Sequence, residues 1–421
     1  MKQNTILIAL GLLLAIDAFA GPPATPGAQV EELLAIARSQ NPELAAMGYE
    51  SEAAAARVQP AGALPDPVAR LELRDLTNKD TDAGPSLSPS RVGSTKYTLL
   101  QTFPLWGKRD LKREAAEADA AQAKARESGA WAELAAKIKI AYAQYYFAAK
   151  SRQLTEELLD LSGSMEQLAL ARYADGLVPQ QDVVRAQVER TVMRTELLAI
   201  ETAHHHAVAR LNGLLRRPPM AALAVPQALR PLPSAEKLDY ATLEARLLAA
   251  NPTLLAQGAQ ATAADSNREL VQRNRYPDLT VGLSPIQMRN RVNEWELMFE
   301  VNIPLQQESR RSQEREAAAM ASAARARREG TQSMFAADLA ENLAGLDTAR
   351  RTEALVATSL QPQAELSFNA ALAGYETGKL GLAPLLEAQQ QVRKAKIERL
   401  KAQVEAQTRL ADIERLLGEE L

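Results

Sequence analysis

Two apolar periods divide this chain. From Glu294 to Ile303 the chain follows a period of two. Trp295, Leu297, Phe299, Val301 and Ile303 fall on one side, and Glu294, Glu296, Glu300 and Asn302 fall on the other. A period of two with one greasy and one wet face predicts a β-strand half-exposed to an apolar medium. The same period runs through Val68 to Arg74 and Leu279 to Gln287, and a returning strand over Arg91 to Phe103 sets Tyr97, Leu99 and Phe103 against Ser94, Lys96 and Thr98. Between the first two strands, Thr77 to Ser90 is rich in Asp, Ser, Gly and Pro and reads as an exposed loop.

The second period is helical. No proline interrupts Lys108 to Tyr173, and Leu134, Ile138, Ala141 and Tyr145 recur at spacings of four and three, as do Leu154, Leu158, Leu161, Met165 and Leu168. A continuous helix there would be roughly 100 Å long at 1.5 Å per residue. A further helix is expected from about Val30 to Gln59. Pro104 and Pro304 close strands, because proline has no N–H for the ladder, and Gly176 and Gly378 end long helices before new ones start near Pro179 and Pro384.

These elements occur twice. Tyr173-Ala-Asp-Gly176 through Gln187 aligns without a gap on Tyr375-Glu-Thr-Gly378 through Gln389, sharing Y-x-x-G, five residues, then x-[VL]-[VL]-x-A-Q. Asn41-Pro42 with Asn251-Pro252, Pro65-Asp66 with Pro277-Asp278, and Phe103-Pro104-Leu105 with Ile303-Pro304-Leu305 recur in the same order. The expected organisation is a first repeat over 21–216 (hairpin about 65–104, long helix 108–173, helix 179–216) and a linker over 217–237. A second repeat follows over 238–421, with a hairpin at about 277–304, a long helix 305–374 and a helix 383–418.

Composition narrows the class. Aromatic residues are 4% of the chain against 46% apolar, which favours closely packed helices over a bulky globular core. A net charge of -3, with basic and acidic residues interspersed, gives no reason to expect a nucleic-acid partner, and the absence of cysteine excludes disulfides and thiolate sites. Lys2, the apolar run Ile6 to Ile16 and Ala18-Phe19-Ala20 predict a signal peptide over residues 1–20, hence export. No later run of 18 apolar residues exists, so a membrane span would have to be a β-barrel.

Four strands cannot close a transmembrane barrel, because such barrels start at about eight strands and an open edge is not tolerated in lipid. The chain is therefore expected to oligomerise, and three copies would supply twelve strands. The duplicated hairpin-plus-helix unit, the Phe103-Pro-Leu-Trp-Gly-Lys108 strand exit and the Tyr-x-x-Gly tips resemble the TolC family of outer-membrane efflux proteins over nearly the whole mature chain. The resemblance implies a mixed α/β membrane protein: a homotrimer with a twelve-stranded outer-membrane β-barrel, four strands per chain, continuous with a long periplasmic α-helical barrel. It implies outer-membrane lipid, a periplasmic adaptor and an inner-membrane pump, proton-driven, as partners. The function implied is passive, gated efflux, with metal cations as the expected cargo and drugs, organic solutes or secreted protein as alternatives. Family acidic rings carried onto this chain fall at Pro384, which has lost its acid, and Glu387. With Glu376, Asp182 and Arg185 these form the expected periplasmic aperture. Tyr173, Gly176, Leu177, Val178, Tyr375, Gly378, Lys379 and Leu380 are the expected adaptor-contacting tips.

If the aromatic face Trp295, Leu297, Phe299 and Val301 meets lipid, Glu294, Glu296 and Glu300 must face the lumen, alongside Arg70, Arg74 and Lys96. His204-His205-His206 are the only histidines, but neighbours about 100° apart on a helix do not form a chelating face as an i, i+4 pair would. They are read as structural or solvated, so no metal site and no cofactor are expected. The nine methionines lack paired spacing, and no phosphate loop, nucleophile elbow or triad is present, so no enzymatic activity is expected. A periplasmic coiled-coil scaffold without a pore is the competing class, and it leaves the strand from Asn293 to Ile303 unexplained.

Overall fold

The computed structural model describes residues 25–78 and 84–421. The expected signal peptide and the centre of the first hairpin loop lie outside the described residues. The chain begins with three short helices, α1 (Val30–Gln40), α2 (Pro42–Ala56) and α3 (Val58–Ala61), followed by strands β1 (Val68–Arg74) and β2 (Ser94–Phe103). Then come the 67-residue helix α4 (Lys108–Ala174) and its return α5 (Gln180–Leu214). After a linker ending in the 3₁₀ turn Ala235–Leu238, the order repeats: α6 (Tyr240–Ala250), α7 (Pro252–Arg273), β3 (Leu279–Met288), β4 (Arg291–Val301), α8 (Gln307–Leu355), α9 (Gln361–Glu376) and α10 (Leu382–Leu417). Among the described residues no helix is long and apolar enough to cross a membrane.

Four expectations differ from what is found. The single helix over Val30 to Gln59 breaks at Asn41, because Pro42 disfavours helical dihedrals in the residue before it and Asn41 sits at φ -78°, ψ 115°. The second long helix, expected as one element over 305–374, carries a π-helical turn at Val356–Leu360 just ahead of Pro362. Ile303 lies beyond β4. The register pairs Val301 with Leu279, so Ile303 would face Pro277, which has no N–H to give the ladder. Likewise β2 starts at Ser94 rather than Arg91, since the N–H groups of Arg91 and Val92 turn back to the Ser88 carbonyl at 2.9 and 3.1 Å.

Both Asn-Pro anchors are splices between helices. The Asn41 side-chain oxygen accepts the N–H groups of Glu43 (2.9 Å) and Leu44 (3.4 Å), while its amide donates to the Leu214 carbonyl at 3.4 Å. Asn251 accepts from the Leu254 N–H at 2.8 Å and donates to the Leu416 carbonyl at 2.7 Å. One side chain thus caps the start of one helix and the end of another, satisfying groups that helix termini leave unpaired. As a result α5 runs onto α2 and α10 onto α7. Helix α4 packs against α2, α5, α7 and α10, and α8 packs against α7 and α10.

The sheet is antiparallel in the order β1-β2-β3-β4, leaving β1 and β4 as edges. Its link to the helices is locked on one side. Trp106 and Gly107 turn the chain through left-handed dihedrals (φ 64° and 73°). The buried Lys108 ammonium then donates to the Tyr276 carbonyl (2.7 Å) and to Asp278 (2.8 Å), and the Trp106 indole donates to the Pro277 carbonyl at 3.1 Å. Midway down the helices the linker and C-terminus are pinned by a buried ion cluster. Glu414 accepts from Lys139 (2.9 Å) and from both terminal nitrogens of Arg230 (3.1 and 3.0 Å), and Lys139 also meets Glu420 at 2.8 Å.

Candidate functional site

Two regions carry the expected functional residues, the sheet and the helical tips. Register fixes which side chains share a face of the sheet. Tyr97, Leu99, Leu283, Trp295, Leu297, Phe299 and Val301 all stand exposed on one face, an apolar surface that nothing among the described residues covers. The opposite face is built in rungs: Thr280 with Glu300, then Val68, Leu100, Gly282 and Met298, then Arg70, Thr98, Ser284 and Glu296, then Glu72, Lys96, Ile286 and Glu294. Glu294, Glu296 and Glu300 therefore do share one face, but not as an uninterrupted acidic stripe. Met298 separates Glu300 from the other two, and a Cβ at Gly282 would meet Leu100 at 2.8 Å and Met298 at 3.1 Å, so that rung is closed by apolar contact. Lys96 is ion-paired to Glu296, and Thr98 and Ser284 hydroxyls meet at 2.9 Å.

At the tips, both repeats end in the same turn. Gly176 (φ 69°) and Gly378 (φ 74°) adopt the left-handed conformation, and the next residue's N–H reaches back five residues: Leu177 to Arg172 (2.8 Å) and Lys379 to Gly374 (2.9 Å). This satisfies the last helical carbonyls. Beyond that the tips diverge. Tyr173 is 46% exposed whereas Tyr375 is 0% exposed, packed among Met165, Ala169, Val183, Leu382 and Leu385. Tyr375 is thus removed from the surface set expected for it. Its hydroxyl has no hydrogen-bond partner among the described residues. Burial, and then the nearby Asp182 charge, raise its pKa, while Arg172 acts the other way.

The aperture candidates divide in the same manner. Asp182 is buried in the first copy, against expectation, because α5 turns it inward beside Val183 and Ala186, while Arg185, Glu376, Pro384 and Glu387 are exposed. Leu177, Lys379 and Leu380 are also exposed, and Val178 is half-buried. Leu380 folds back onto Gly374, where a Cβ would come within 2.6 Å of its Cδ1.

One residue absent from the expected set joins the two tips. The Arg172 guanidinium donates to the carbonyls of Tyr375 and Glu376, the latter at 2.9 Å, and lies 5.1 Å from the Tyr375 ring centre. It caps the C-terminus of α9 with a cation supplied by α4, a favourable charge for a helix end. Deeper in, Gln389 donates to the Ser162 hydroxyl at 2.9 Å, and Arg393 pairs with Glu196. The outer flanks carry exposed apolar rows: Val184, Val188 and Val192 on α5, and Leu355, Leu360 and Leu366 around the α8–α9 joint.

The three histidines do not converge. His204 packs on Tyr145 with ring centres 5.2 Å apart, and burial, then Arg152 and His205, lower its pKa, while His205 and His206 are exposed. Among the described residues no group of three or more His, Asp or Glu side chains could hold a metal ion.

Comparison with known proteins places this geometry. The family model described as outer membrane efflux protein matches residues 33–215 and again 243–419. The chain is 25% identical over 393 residues to the cobalt-zinc-cadmium resistance protein CzcC of Cupriavidus metallidurans, covering 92% of this chain and 90% of that one. Its fold is similar to that of the outer membrane protein VceC of Vibrio cholerae (TM-score 0.79, 19% identity, 93% of this chain and 97% of that one). It is also similar to CusC, solved in a study of transmembrane channel formation (TM-score 0.76, 15% identity, 93% and 92%).

Proposed function

Since the chain belongs to the outer membrane efflux protein family, whose members are channels of the outer membrane and not enzymes, we propose that three copies form the exit duct of a tripartite efflux system. The observation that carries this reading is the sheet. It exposes a continuous apolar face and leaves β1 and β4 unpaired, and an open edge in lipid costs several kcal/mol for each unsatisfied backbone group. Pairing β4 of one copy with β1 of the next removes every edge at twelve strands. Trp295, Leu297, Phe299 and Val301 would then face lipid, and Glu294, Glu296 and Glu300, with Arg70, Arg74 and Lys96, the lumen. The same head-to-tail contact would set the Val184, Val188 and Val192 row of α5 against the Leu355, Leu360 and Leu366 row of its neighbour, closing the helices into a tube.

Conduction through such a duct is passive, so an inner-membrane pump, proton-driven, would supply the energy and a periplasmic adaptor would meet the tips at Tyr173, Leu177, Lys379 and Leu380. Three exposed Glu387 carboxylates brought together would repel one another and favour cations, which suits a periplasmic aperture. The resistance relative supports metal cations as cargo. The test has two arms. Purified protein should extract from outer membranes as a trimer and conduct ions in planar bilayers, whereas a soluble monomer would sink the duct. Deletion of the gene should sensitise cells to zinc, cobalt or cadmium. Loss of tolerance to an organic drug panel alone would reassign the cargo.

A further inference from the structure

A single chain leaves two helical rows uncovered, and an exposed histidine closes one of them. On α5 the row of Val188 and Val192 is continued at spacings of three and four by Thr195, Ala199, Thr202 and His206, all exposed. On the opposite edge of the chain, Leu355 of α8 is continued in the same manner by Arg351, Thr348 and Ala344.

Contacts inside the chain fix the height of each row. The Arg210 guanidinium of α5 donates to Gln144 of α4 at 3.2 Å, and the two helices run antiparallel. His206, four residues before Arg210, therefore stands level with Ala148, four after Gln144. Phe147 of α4, Val404 of α10 and Thr348 of α8 line one cavity of about 690 Å³. His206 and Thr348 thus lie at one height. Nearer the tips, Met193 packs with Leu154, and Leu154 and Gln361 line a second cavity of about 390 Å³, which levels Val192 with Leu360.

Rotation about a three-fold axis along the tube changes no height. Where α5 of one copy meets α8 of the next, each residue faces the residues of its own level. The sizes agree, since small Ala199 falls level with Leu355 and Thr202 with Arg351. His206 falls level with Thr348 and with its neighbour Asp347, which is exposed and paired at 2.9 Å with Arg351 one turn toward the tip.

We propose that His206 of one copy is buried, as the neutral imidazole, against Asp347 and Arg351 of the partner subunit, with His205 at the edge of the same contact, so that acid loosens the seam between copies. The inference rests on the trimeric duct reading and deepens it by fixing the register between copies and giving their contact a pH dependence. The charges that would reward an imidazolium at this level are engaged or turned away. Asp347 already holds Arg351, Arg210 on the helix of His206 faces Gln144, and Arg152 of α4 is paired with Glu156. Glu201 lies about 140° around α5 from His206 at 100° per residue. Glu341 stands two turns higher on α8 within 3.5 Å of Arg409, while Glu398, Lys401 and Glu405 belong to α10, which flanks α8 on its other side. A proton on His206 would bury a cation beside Arg351, Arg210 and His205. The same balance operates within the chain, where burial first, then Arg152 and His205, lower the pKa of His204. Burying a neutral imidazole favours the trimer as long as the separated chain is neutral there too. That gain is lost as pH falls through the range in which an exposed histidine takes up its proton.

The chain has no cysteine, so a pair introduced into the full-length protein reports the register without background. Ala199→Cys with Leu355→Cys should oxidise to a covalent trimer. Ala199→Cys with Glu341→Cys, displaced by roughly 20 Å along α8 at 1.5 Å per residue, should not. The rate at which detergent-solubilised trimers dissociate on mild heating then reads the histidine contact. It should rise about tenfold or more from pH 7.5 to pH 5.5 in wild-type protein, and less than about threefold in His205→Gln/His206→Gln. His206→Lys, charged throughout, should dissociate at pH 7.5 about as fast as wild type does at pH 5.5. Should that variant fail to assemble, the glutamine pair decides alone. Trimers in which the displaced pair cross-links as well as the level pair, or in which neither does, overturn the register while the duct stands. A flat wild-type profile, or a steep one kept by the glutamine pair, overturns the histidine contact and leaves the duct in place. Wild-type protein that yields no trimer overturns the duct and the seam with it.

Discussion

The guanidinium of Arg172, at the end of α4, caps the carbonyls of Tyr375 and Glu376 at the end of α9 and covers the Tyr375 ring from 5.1 Å. This contact ties the tip of one repeat to the tip of the other. Charge-assisted bonds and a cation–π contact together are worth about 1–3 kcal/mol, roughly one to two decades in the population of a closed tip. Arg172→Ala should therefore raise the resting conductance of single channels in planar bilayers about tenfold or more. Arg172→Lys should fall between, because an ammonium cannot stack and span two carbonyls as a planar fork does. Equal resting conductance in all three proteins would remove Arg172 from the closure.

The ion cluster at Glu414 makes stability depend on acid. Burial alone would push this carboxyl up, but the bonds and charges of Arg230 and Lys139 outweigh it and hold the group below its ordinary value of 4.5. A depressed folded pKa means the contribution is fully present above that value and is lost as pH falls below it toward the folded pKa. The thermal midpoint, followed by helical circular dichroism, should thus drop as pH is lowered beneath about 4.5. Glu414→Gln should be destabilised at neutral pH by about 3 kcal/mol, since it strands the Arg230 guanidinium and leaves the buried Lys139 with Glu420 alone, and should lose part of the acid dependence. A variant with the wild-type pH profile would show that another carboxylate carries it.

Much of this architecture is legible in the sequence, for identifiable reasons. Period-two patterning from Glu294 to Val301, broken only at Met298, reads as a two-faced strand, and a proline-free run from Lys108 with apolar residues at three and four reads as a long helix. The breaks are harder. Pro362 was visible in the sequence, but a π turn and a broken helix are equally consistent with one proline, and tertiary packing decides between them. Met298 interrupts the acidic stripe because a charge there would have faced Leu100 across Gly282. Arg172 escapes notice because the matched skeleton begins one residue later, at Tyr173. Extending it by one position pairs Arg172 with Gly374, and that substitution is the signal: one copy supplies the cation, and the other makes room for Leu380. Burial separates Tyr173 from Tyr375 and Asp182 from Pro384, and equal spacing in the two copies cannot reveal it.

The Asn-Pro splices should be unequal. Asn251 is buried with bonds of 2.8 and 2.7 Å, while the Asn41 amide reaches the Leu214 carbonyl at 3.4 Å. Replacing Asn251 by Ala removes a cap and leaves a buried carbonyl unpaired, at about 2–3 kcal/mol, against about 1 kcal/mol for Asn41→Ala. Asn251→Asp keeps the cap but cannot donate to Leu416, so it should fall between. Denaturant midpoints of the three variants test the order, and a larger loss for Asn41→Ala would refute the splice.

Ion selectivity of the proposed barrel should turn on Lys96. On the face it shares with Glu72, Glu294, Glu296 and Glu300, the basic residues are Arg70, Arg74 and Lys96, so the wall carries a small acidic excess in each copy. Lys96 also neutralises Glu296 directly. Lys96→Glu adds two negative charges per chain, six per trimer, and frees Glu296 to act on passing ions. A wide water-filled lumen screens charge over about 8–10 Å at physiological salt, so the effect should be strong at low ionic strength and fade as salt rises. The reversal potential in a tenfold potassium chloride gradient should move toward the cation limit in Lys96→Glu and less far in Lys96→Gln. The same substitutions placed at exposed Lys124 on α4, outside the barrel wall, should leave it unmoved. If the Lys96 and Lys124 variants behave alike, the charged face of the sheet does not line the conducting path.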